Sequence, residues 1–261
     1  QDFSAESFSV PFGQTRADEK MSAWVEQRTR GLLKPKFQHE ADTVSVLLNT
    51  IYFKDGWAEP FSERNTENGD FTTAGGEIVR ADFMQNRSAG LAREGEDYRK
   101  GELSFRSGGS MFFVLPDEDV PLQQLLAERG LQELLTDEGA QSRDIDWWLP
   151  KFRQGGEVQL IDLLRSLGVT DAFDADAANF SNGWDTSAYI SEVRQGTALS
   201  VDENGVEAAA YTEISMKESA ALVEPESPLE MRLDRPFLYG VRGADGTLVF
   251  VGVCADPTRE E

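Results

Sequence analysis

Two stretches near the C-terminal end carry most of the information in this chain: residues 203–212, ENGVEAAAYT, and residues 231–241, MRLDRPFLYGV. The first contains an acidic residue, a glycine and a run of small side chains. The second has the apolar and aromatic composition of a β-strand. Together they predict an exposed loop that starts at a flexible hinge and returns to the fold as a strand.

The hinge stretch is compatible with insertion into a β-sheet. Gly205 supplies the backbone freedom for a turn. Because successive side chains of a strand point to opposite faces, one face would carry the small or β-branched uncharged residues Val206, Ala208, Ala210 and Thr212. The opposite face would carry Glu207, Ala209, Tyr211 and Glu213. By composition alone, Glu-Ala-Ala-Ala also favours a helix, and that alternative stays open here.

The composition is that of a globular and strongly acidic chain. Its 261 residues carry a net charge of −22, and 39% of them are hydrophobic. This charge argues against nucleic acid and anionic membrane surfaces as partners. A strongly hydrated soluble surface accounts for it, and adaptation to salt and a preference for basic partners are the alternatives. No apolar run reaches the roughly 18–20 residues that span a bilayer.

The scarcity of cysteine and histidine argues against several classes of site. The one cysteine, Cys254, leaves no intrachain disulfide, and its apolar neighbours predict a buried core residue. The one histidine, His39, lies in a polar stretch and is expected at the surface. A Ser-His-Asp triad and a metal site with several His or Cys ligands therefore have no support. We expect no catalytic residue, no metal and no cofactor.

The apolar periodicity indicates an α+β fold in one domain, residues 1–261, with many strands and interspersed helices. The predicted helices are residues 15–33, two short segments that meet at Gly130, and residues 160–167 with Gly168 as the cap. The predicted strands are 44–53, a hairpin in 71–84, the central strand 111–115, 147–152 with edge character at Pro150, 189–200, 229–241 and 247–254, with a hairpin turn at Asp245–Gly246.

Several separated segments resemble the serpin family of protease inhibitors, in the same order as in that family. They are residues 47–57 (LLNTIYFKDGW), 149–152 (LPKF), 167–173 (LGVTDAF), 190–193 (ISEV), the hinge stretch, and 234–237 (DRPF). The resemblance covers essentially the whole chain. It implies large mixed and antiparallel sheets, surrounding helices and an exposed reactive-centre loop at about residues 203–228.

The same resemblance implies that Gln1 matches a point already inside the serpin fold. The family's N-terminal helices and one strand of its main sheet would then be absent from this chain. We expect a fragment, a nicked product or a second polypeptide that supplies the missing part.

The resemblance also assigns two functional regions. The hinge comprises Glu203, Gly205, Val206, Glu207, Ala208, Ala209, Ala210 and Thr212. The region where the sheet opens comprises Asn49, Trp57 and Gln195. Gln195 stands where the family usually has a histidine, so the hydrogen bonds under the opening sheet differ in energy.

The bond that a protease would attack is placed by counting residues from the hinge glycine, as in the family. This count gives Ser219–Ala220, whose small side chains suit an elastase-like or subtilisin-like protease. Counting back from Pro236 instead ends near Pro225. Lys217–Glu218, which would suit a trypsin-like protease, and Met216 are the competing positions.

The resemblance therefore implies a suicide-substrate inhibitor of a serine protease, which forms a covalent acyl complex and needs no cofactor. Such a chain would be monomeric and would be secreted or held at the cell surface. Three alternatives stay open: a non-inhibitory relative that acts as a carrier or chaperone, an acidic hydrolase, and an inactive fragment.

Overall fold

The computed structural model describes residues 6–41, 43, 46, 48–182, 187–206 and 227–259. The helices are α1 (Thr15–Arg28), α2 (Leu122–Leu135) and α3 (Ile161–Ser166), with short 3-10 helices at Glu63–Asn65 and Asp171–Phe173. The strands are β1 (Asn49–Ile51), β2 (Asp55–Gly56), β3 (Thr66–Thr72), β4 (Ile78–Glu94), β5 (Tyr98–Ser104), β6 (Ser110–Pro116), β7 (Gln141–Pro150), β8 (Phe152–Gln159), β9 (Arg194–Asp202), β10 (Gly205–Val206), β11 (Leu229–Arg232), β12 (Phe237–Arg242) and β13 (Leu248–Cys254).

The chain divides into two compact units. Unit 1 comprises Gln1–Tyr52 and Gly155–Ala198, and unit 2 comprises Phe53–Gln154 and Leu199–Glu261. In the part of the chain that the structure describes, no helix is both long and apolar enough to cross a membrane.

In unit 1, α1 buries three apolar residues spaced four apart: Ala17, Met21 and Val25. This spacing places them on one face of the helix. The helix ends at Arg28, earlier than the predicted residue 33, because Arg30 and Gly31 both have positive φ. Thr15 is the first residue of the helix, and Gln14 is the N-cap residue.

Strand β1 pairs in parallel with the first half of β9 in unit 1. The paired residues are Asn49 with Gln195, Thr50 with Gly196, and Ile51 with Thr197. The predicted strand 189–200 begins five residues late, at Arg194. Of the predicted strand 44–53, the structure shows β1 at residues 49–51, and positions 44, 45 and 47 lie outside the described residues.

Unit 2 contains a sheet in the order β11-β7-β4-β5-β6-β12-β13, with β3 also paired to β4. Strand β6 lies inside this sheet, between β5 and β12, and is buried along its whole length, as the apolar run 111–115 predicts. Helix α2 covers one face of the sheet through a cluster that includes Tyr98, Phe112, Leu125 and Leu134. Gly130, with φ 74°, divides α2 into the two expected helical segments.

Two sequence predictions for unit 2 are wrong. Residues 229–241 do not form one strand, because β11 pairs with β7, β12 pairs with β6, and residues 233–236 turn the chain between them. The strand that contains Trp147 and Trp148 is not an edge strand, since β7 lies between β11 and β4. Pro150 is the last residue of β7, where a missing N–H interrupts little of the ladder.

The burial prediction is confirmed for the single cysteine and is wrong for the single histidine. Cys254 is fully buried, as predicted. His39 was expected at the surface, but its side chain is only 9% exposed and pairs with Asp18 of α1. The polar neighbours in the sequence, Gln38 and Glu40, point outward while the imidazole points inward.

Candidate functional site

The predicted hinge begins at the end of β9 in unit 2 and turns sharply into β10. The amide of Asn204 donates to the Asp202 carboxylate at 2.8 Å, which fixes the turn. Strand β10 then pairs antiparallel with β9, Gly205 opposite Asp202 and Val206 opposite Val201. It also pairs antiparallel with β2. The start of the loop is therefore already a strand with partners on both sides.

Gly205 is required by this geometry. Its φ is +149°, and a Cβ atom there would lie 2.2 Å from the carbonyl oxygen of Asp55 and 2.7 Å from the Cα of Gly56. Both are backbone atoms that cannot rotate away. The next residue, Val206, is completely buried. Only a glycine lets the chain enter between β9 and β2 this closely.

Glu203 anchors the turn through a buried carboxylate. Thr66 donates a hydroxyl hydrogen bond to it at 2.8 Å, and the Lys151 ammonium lies 3.1 Å away. The Glu203 side chain is 8% exposed and that of Lys151 is 39% exposed. Burial alone would raise the pKa of Glu203, but hydrogen bonds from its own amide, Thr66 and Lys151 outweigh burial and lower it.

The pKa of the neighbouring carboxylate, Asp202, is displaced in the opposite direction. Burial raises the pKa of Asp202, and hydrogen bonds from the amides of Asn204 and Gly205 offset part of that increase. Two adjacent acids thus have pKa values displaced in opposite directions, because the hydrogen bonds to Glu203 outweigh its burial whereas those to Asp202 do not.

Trp57 holds the same turn from the other side. Its indole N–H donates to the carbonyl of Asp202 and its amide donates to the carbonyl of Asn204, both at 2.9 Å. The indole is fully buried and stacks on Phe105 with ring centroids 5.1 Å apart. Trp57 therefore fixes the backbone of the hinge rather than its side chains.

The downstream end of the loop is also tied to unit 2. The Arg143 guanidinium donates to the carbonyl of Ser227 at 2.6 Å and pairs with Glu94 at 3.0 Å. Two residues later Leu229 opens β11, which pairs in parallel with β7. The described residues on both sides of the predicted loop are thus held by hydrogen bonds and strand pairing within unit 2.

The structure brings together some of the residues that the sequence predicts. Glu203, Gly205, Val206 and Trp57 meet at the hinge in unit 2, and Asn49 and Gln195 are paired in unit 1. The remaining predicted residues lie outside the described part of the chain: Glu207, Ala208, Ala209, Ala210, Thr212, Ser219 and Ala220. The competing positions Met216 and Lys217–Glu218 also lie there.

Sequence reasoning missed three residues of this site. Lys151 was seen within the Leu-Pro-Lys-Phe segment, but nothing local shows that its partner lies 52 positions later in the chain. Thr66 and Arg143 carry no sequence signal, because their roles depend on pairing between distant strands.

Comparison with known proteins supports the fold described above. The serpin model, described as serine protease inhibitor, matches residues 1–257. Antitrypsin of Bombyx mori is 28% identical over 271 residues, which cover 96% of this chain and 66% of that protein. Serpin-Z2B of Triticum aestivum is 29% identical over 274 residues, which cover 98% of this chain and 68% of that protein.

A solved structure gives the same result. The crystal structure of the thermophilic serpin tengpin in the native state matches with a TM-score of 0.78 and 25% identity, over 93% of this chain and 64% of that one. The chain therefore belongs to the serpin family, and the α+β serpin fold expected from the motifs is confirmed. It spans about two thirds of the length of these relatives.

Proposed function

We propose that this chain inhibits a serine protease as a suicide substrate, with residues 203–228 as its reactive-centre loop. The observation that carries the proposal is the hinge: β10 is already paired with β9 and β2, so the loop starts inside a sheet. Family membership supports the same activity, since the matching family is described as serine protease inhibitors.

The strand register supports insertion of the rest of the hinge. Val206 lies opposite Val201 of β9, so continuing one residue at a time places Ala210 opposite Thr197 and Thr212 opposite Gln195. From Val206 opposite Asp55, the same continuation places Ala210 opposite position 51 and Thr212 opposite position 49. These are the positions that β1 and β9 now pair with each other. The loop would therefore enter where Asn49 and Gln195 separate, without a register slip.

The chemistry would be that of the target protease, and this chain supplies no catalytic residue. The protease serine oxygen bonds to the carbonyl carbon of Ser219, and the Ser219–Ala220 bond breaks. The nitrogen of Ala220 leaves as an amine with a proton from the protease's catalytic base. Insertion of the cut loop then carries the acyl-linked protease away before water releases it. Burial of apolar side chains and new backbone pairing drive this step from a metastable start.

The proposal includes a target class, an assembly and a location. An elastase-like or subtilisin-like protease fits Ser219–Ala220, and a trypsin-like one would fit Lys217–Glu218. An upstream segment or a second polypeptide would supply the rest of the single serpin domain. Its support is the two-thirds coverage of the relatives and the outward apolar residues Leu248, Val251 and Val253 on the edge strand β13. The assembled inhibitor would act as a monomer, secreted or at the cell surface.

The test mixes the chain with an elastase-like serine protease and analyses the products by denaturing gel and mass spectrometry. We expect a covalent complex that survives denaturation and a released peptide that begins at Ala220. A peptide that begins at Glu218 would move the cut to the trypsin-like bond. Cleavage with no complex would contradict inhibition by this chain and would make it a substrate.

A matched pair of variants separates insertion from simple cleavage. Ala208→Glu would place a charge on the face that is buried after insertion, which costs several kcal/mol. Ala209→Glu would place the same charge on the opposite face. We expect Ala208→Glu to be cleaved without forming the complex, while Ala209→Glu still forms it. Equal behaviour of the two variants would refute the proposed face of insertion.

A further inference from the structure

The outer face of the sheet in unit 2 is exposed where β4, β7 and β11 lie side by side. In β11, Leu229 and Met231 are buried, and Glu230 between them is exposed. In β7, Ile145 is buried and the preceding residue, Asp144, is exposed. Because successive side chains of a strand point to opposite faces, Glu230 and Asp144 both lie on the outer side of the sheet.

Strand β4 completes this outer surface. Its residues 87, 89 and 91 are exposed, and residues 88 and 92 between and beyond them are buried. Pairing places Ala89 opposite Asp144 and Arg87 opposite Asp146, and Asp146 is also opposite Glu230. We call this surface the downstream face. It comprises Arg87, Ala89, Leu91, Asp144, Asp146 and Glu230.

The downstream face combines an apolar centre with an excess of negative charge. Leu91 is 40% exposed, and Ala89 lies two residues before it on the same side. The Arg87 guanidinium donates two hydrogen bonds to the Asp146 carboxylate, at 2.5 and 2.7 Å. The exposed carboxylates of Asp144 and Glu230 therefore set the net charge of the face. An apolar centre with a polar rim is the usual composition of a protein–protein interface.

The downstream face adjoins the end of the proposed reactive-centre loop. The carbonyl of Ser227 accepts a hydrogen bond from Arg143 at 2.6 Å, and β11 begins two residues later. Arg143 directly precedes Asp144 in β7. The fixed downstream end of the loop thus lies one residue along β7 from the face.

The lengths of chain on the two sides of the proposed cut bond keep a bound protease near this end. Ala220 lies seven residues before Ser227, whereas Ser219 lies thirteen residues after Val206. At full extension these segments reach about 25 Å and about 47 Å. A protease domain of roughly 220 residues has a radius of gyration of about 17 Å, so it is wider than the downstream segment is long.

We propose that the downstream face is a second contact surface for the target protease, and that it fits a basic patch beside the protease's active-site cleft. The inference rests on the proposed function, because the loop is what brings the protease to the face. Contacts between two proteins that are already joined form at a high effective concentration. Charges at the rim of an interface act mainly on the association rate. The face would therefore select basic proteases among those that accept the same cut bond.

Charge reversal at two positions tests the face. Asp144→Lys and Glu230→Lys are compared with Glu77→Lys, since Glu77 is also exposed but lies about 45 Å of strand away from Leu91. All three variants change the net charge equally. With an elastase-like protease of basic surface at low salt, we expect the association rate constant to fall about fivefold in the first two variants. Glu77→Lys should lower it less than about twofold.

An uncharged substitution separates direct contact from long-range attraction. Leu91→Asn removes apolar area from the centre of the face, and Ile78→Asn does the same at the other end of β4, where Ile78 is 68% exposed. At 0.5 M salt, where attraction between charges is screened, we expect Leu91→Asn to slow association about threefold and Ile78→Asn to leave it unchanged. Equal rates for these two variants would refute contact with the face.

A protease whose catalytic serine is replaced by alanine distinguishes failure of the face from failure of the proposed function. This protease can bind the loop but cannot cut it. If the active protease forms no covalent complex, while Glu230→Lys weakens binding of the inactive one more than Glu77→Lys does, the face stands and the trapping mechanism fails. Normal covalent complexes with equal association rates for Asp144→Lys, Glu230→Lys and Glu77→Lys would overturn the face and leave the proposed inhibition intact.

Discussion

Glu203 and Lys151 show how one ion pair positions the start of the loop. The carboxylate is nearly buried and has two side-chain partners, Thr66 and Lys151. Removing either partner would take one donor from a nearly buried carboxylate, which costs more than a surface contact contributes. The position of the hinge therefore depends on residues that lie far from it in the sequence.

Glu203→Gln should flatten the loss of stability in acid. The fold lowers the pKa of Glu203 below its ordinary 4.5, so its contribution is present above about pH 4.5 and is lost as the pH falls through the lowered value. Asp202 acts in the opposite sense, because its pKa is raised above 3.8 and the folded chain gains stability as that group takes up a proton. Urea unfolding between pH 7 and pH 3.5 should show a smaller loss in the variant.

Lys151→Met is the matched control for this prediction. It keeps the packing of the side-chain stem but leaves the Glu203 carboxylate without its cation. At pH 7 we expect a loss of ~1–3 kcal/mol in the free energy of unfolding. In the double variant with Glu203→Gln most of that loss should disappear. A loss that is the same with and without Glu203 would show that the ion pair is not the cause.

Cys254 should be unreactive in the folded chain. Burial raises the pKa of its thiol well above the ordinary range, with a smaller contribution from Asp256, so almost no thiolate forms at neutral pH. A thiol reagent such as iodoacetamide should label the chain at pH 8 only after urea is added. Rapid labelling without denaturant, measured by mass spectrometry, would mean that β13 opens at its end.

At the scale of elements, β10 is a two-residue strand at the start of the proposed reactive-centre loop. Its two residues have partners on both sides, and one of them is fully buried. The predicted elements were right where one local signal was strong, as in β6 and the turn at Gly246. They were wrong where pairing with distant strands decided the outcome, as at the break between β11 and β12.

Gly205→Ala should expel β10 from its place between β9 and β2. The added methyl group would meet backbone atoms of Asp55 and Gly56 at 2.2 and 2.7 Å, in addition to the cost of positive φ. Gly246→Ala is the control, since Gly246 also has positive φ, 80°, but has no atom within 4 Å of the added group.

Hydrogen exchange and urea unfolding compare the two glycine variants. We expect Gly246→Ala to cost about 1–2 kcal/mol. Gly205→Ala should cost more and should also deprotect the amides of residues 201–206. If Gly205→Ala left those amides protected, the backbone of the hinge would not be held as tightly as the structure indicates.

At the scale of the whole molecule, the net charge of −22 should control how fast the chain associates with the proposed target protease. Opposite charges steer association, and salt screens them. With an elastase-like protease of basic surface, we expect the association rate constant to fall at least ~10-fold between low salt and 0.5 M salt. An acidic protease of the same specificity should associate faster as salt increases. Insensitivity to salt in both cases would contradict electrostatic steering.

The sequence alone was enough to identify the family and to predict the buried core and a glycine at the turn before residue 206. These features depend on local physics: a glycine at a turn, alternation along a strand, an apolar run, and motifs whose order resembles a known fold. These local signals do not depend on how the rest of the chain is folded. The burial of Cys254 is confirmed, while the roles assigned to Glu203, Gly205 and Trp57 stay predictions.

Only the tertiary structure decided which distant residues hold these features in place. Lys151 and Thr66 at Glu203, Arg143 at Ser227, and Asp18 at His39 are separated by 21 to 137 positions in the chain. No periodicity connects such positions, because contacts across strands and between a helix and a distant segment depend on how the whole chain is folded. His39 was misplaced for this reason: its neighbours are polar, but the alternation of partly buried and exposed side chains over residues 33–40 turns it inward against α1.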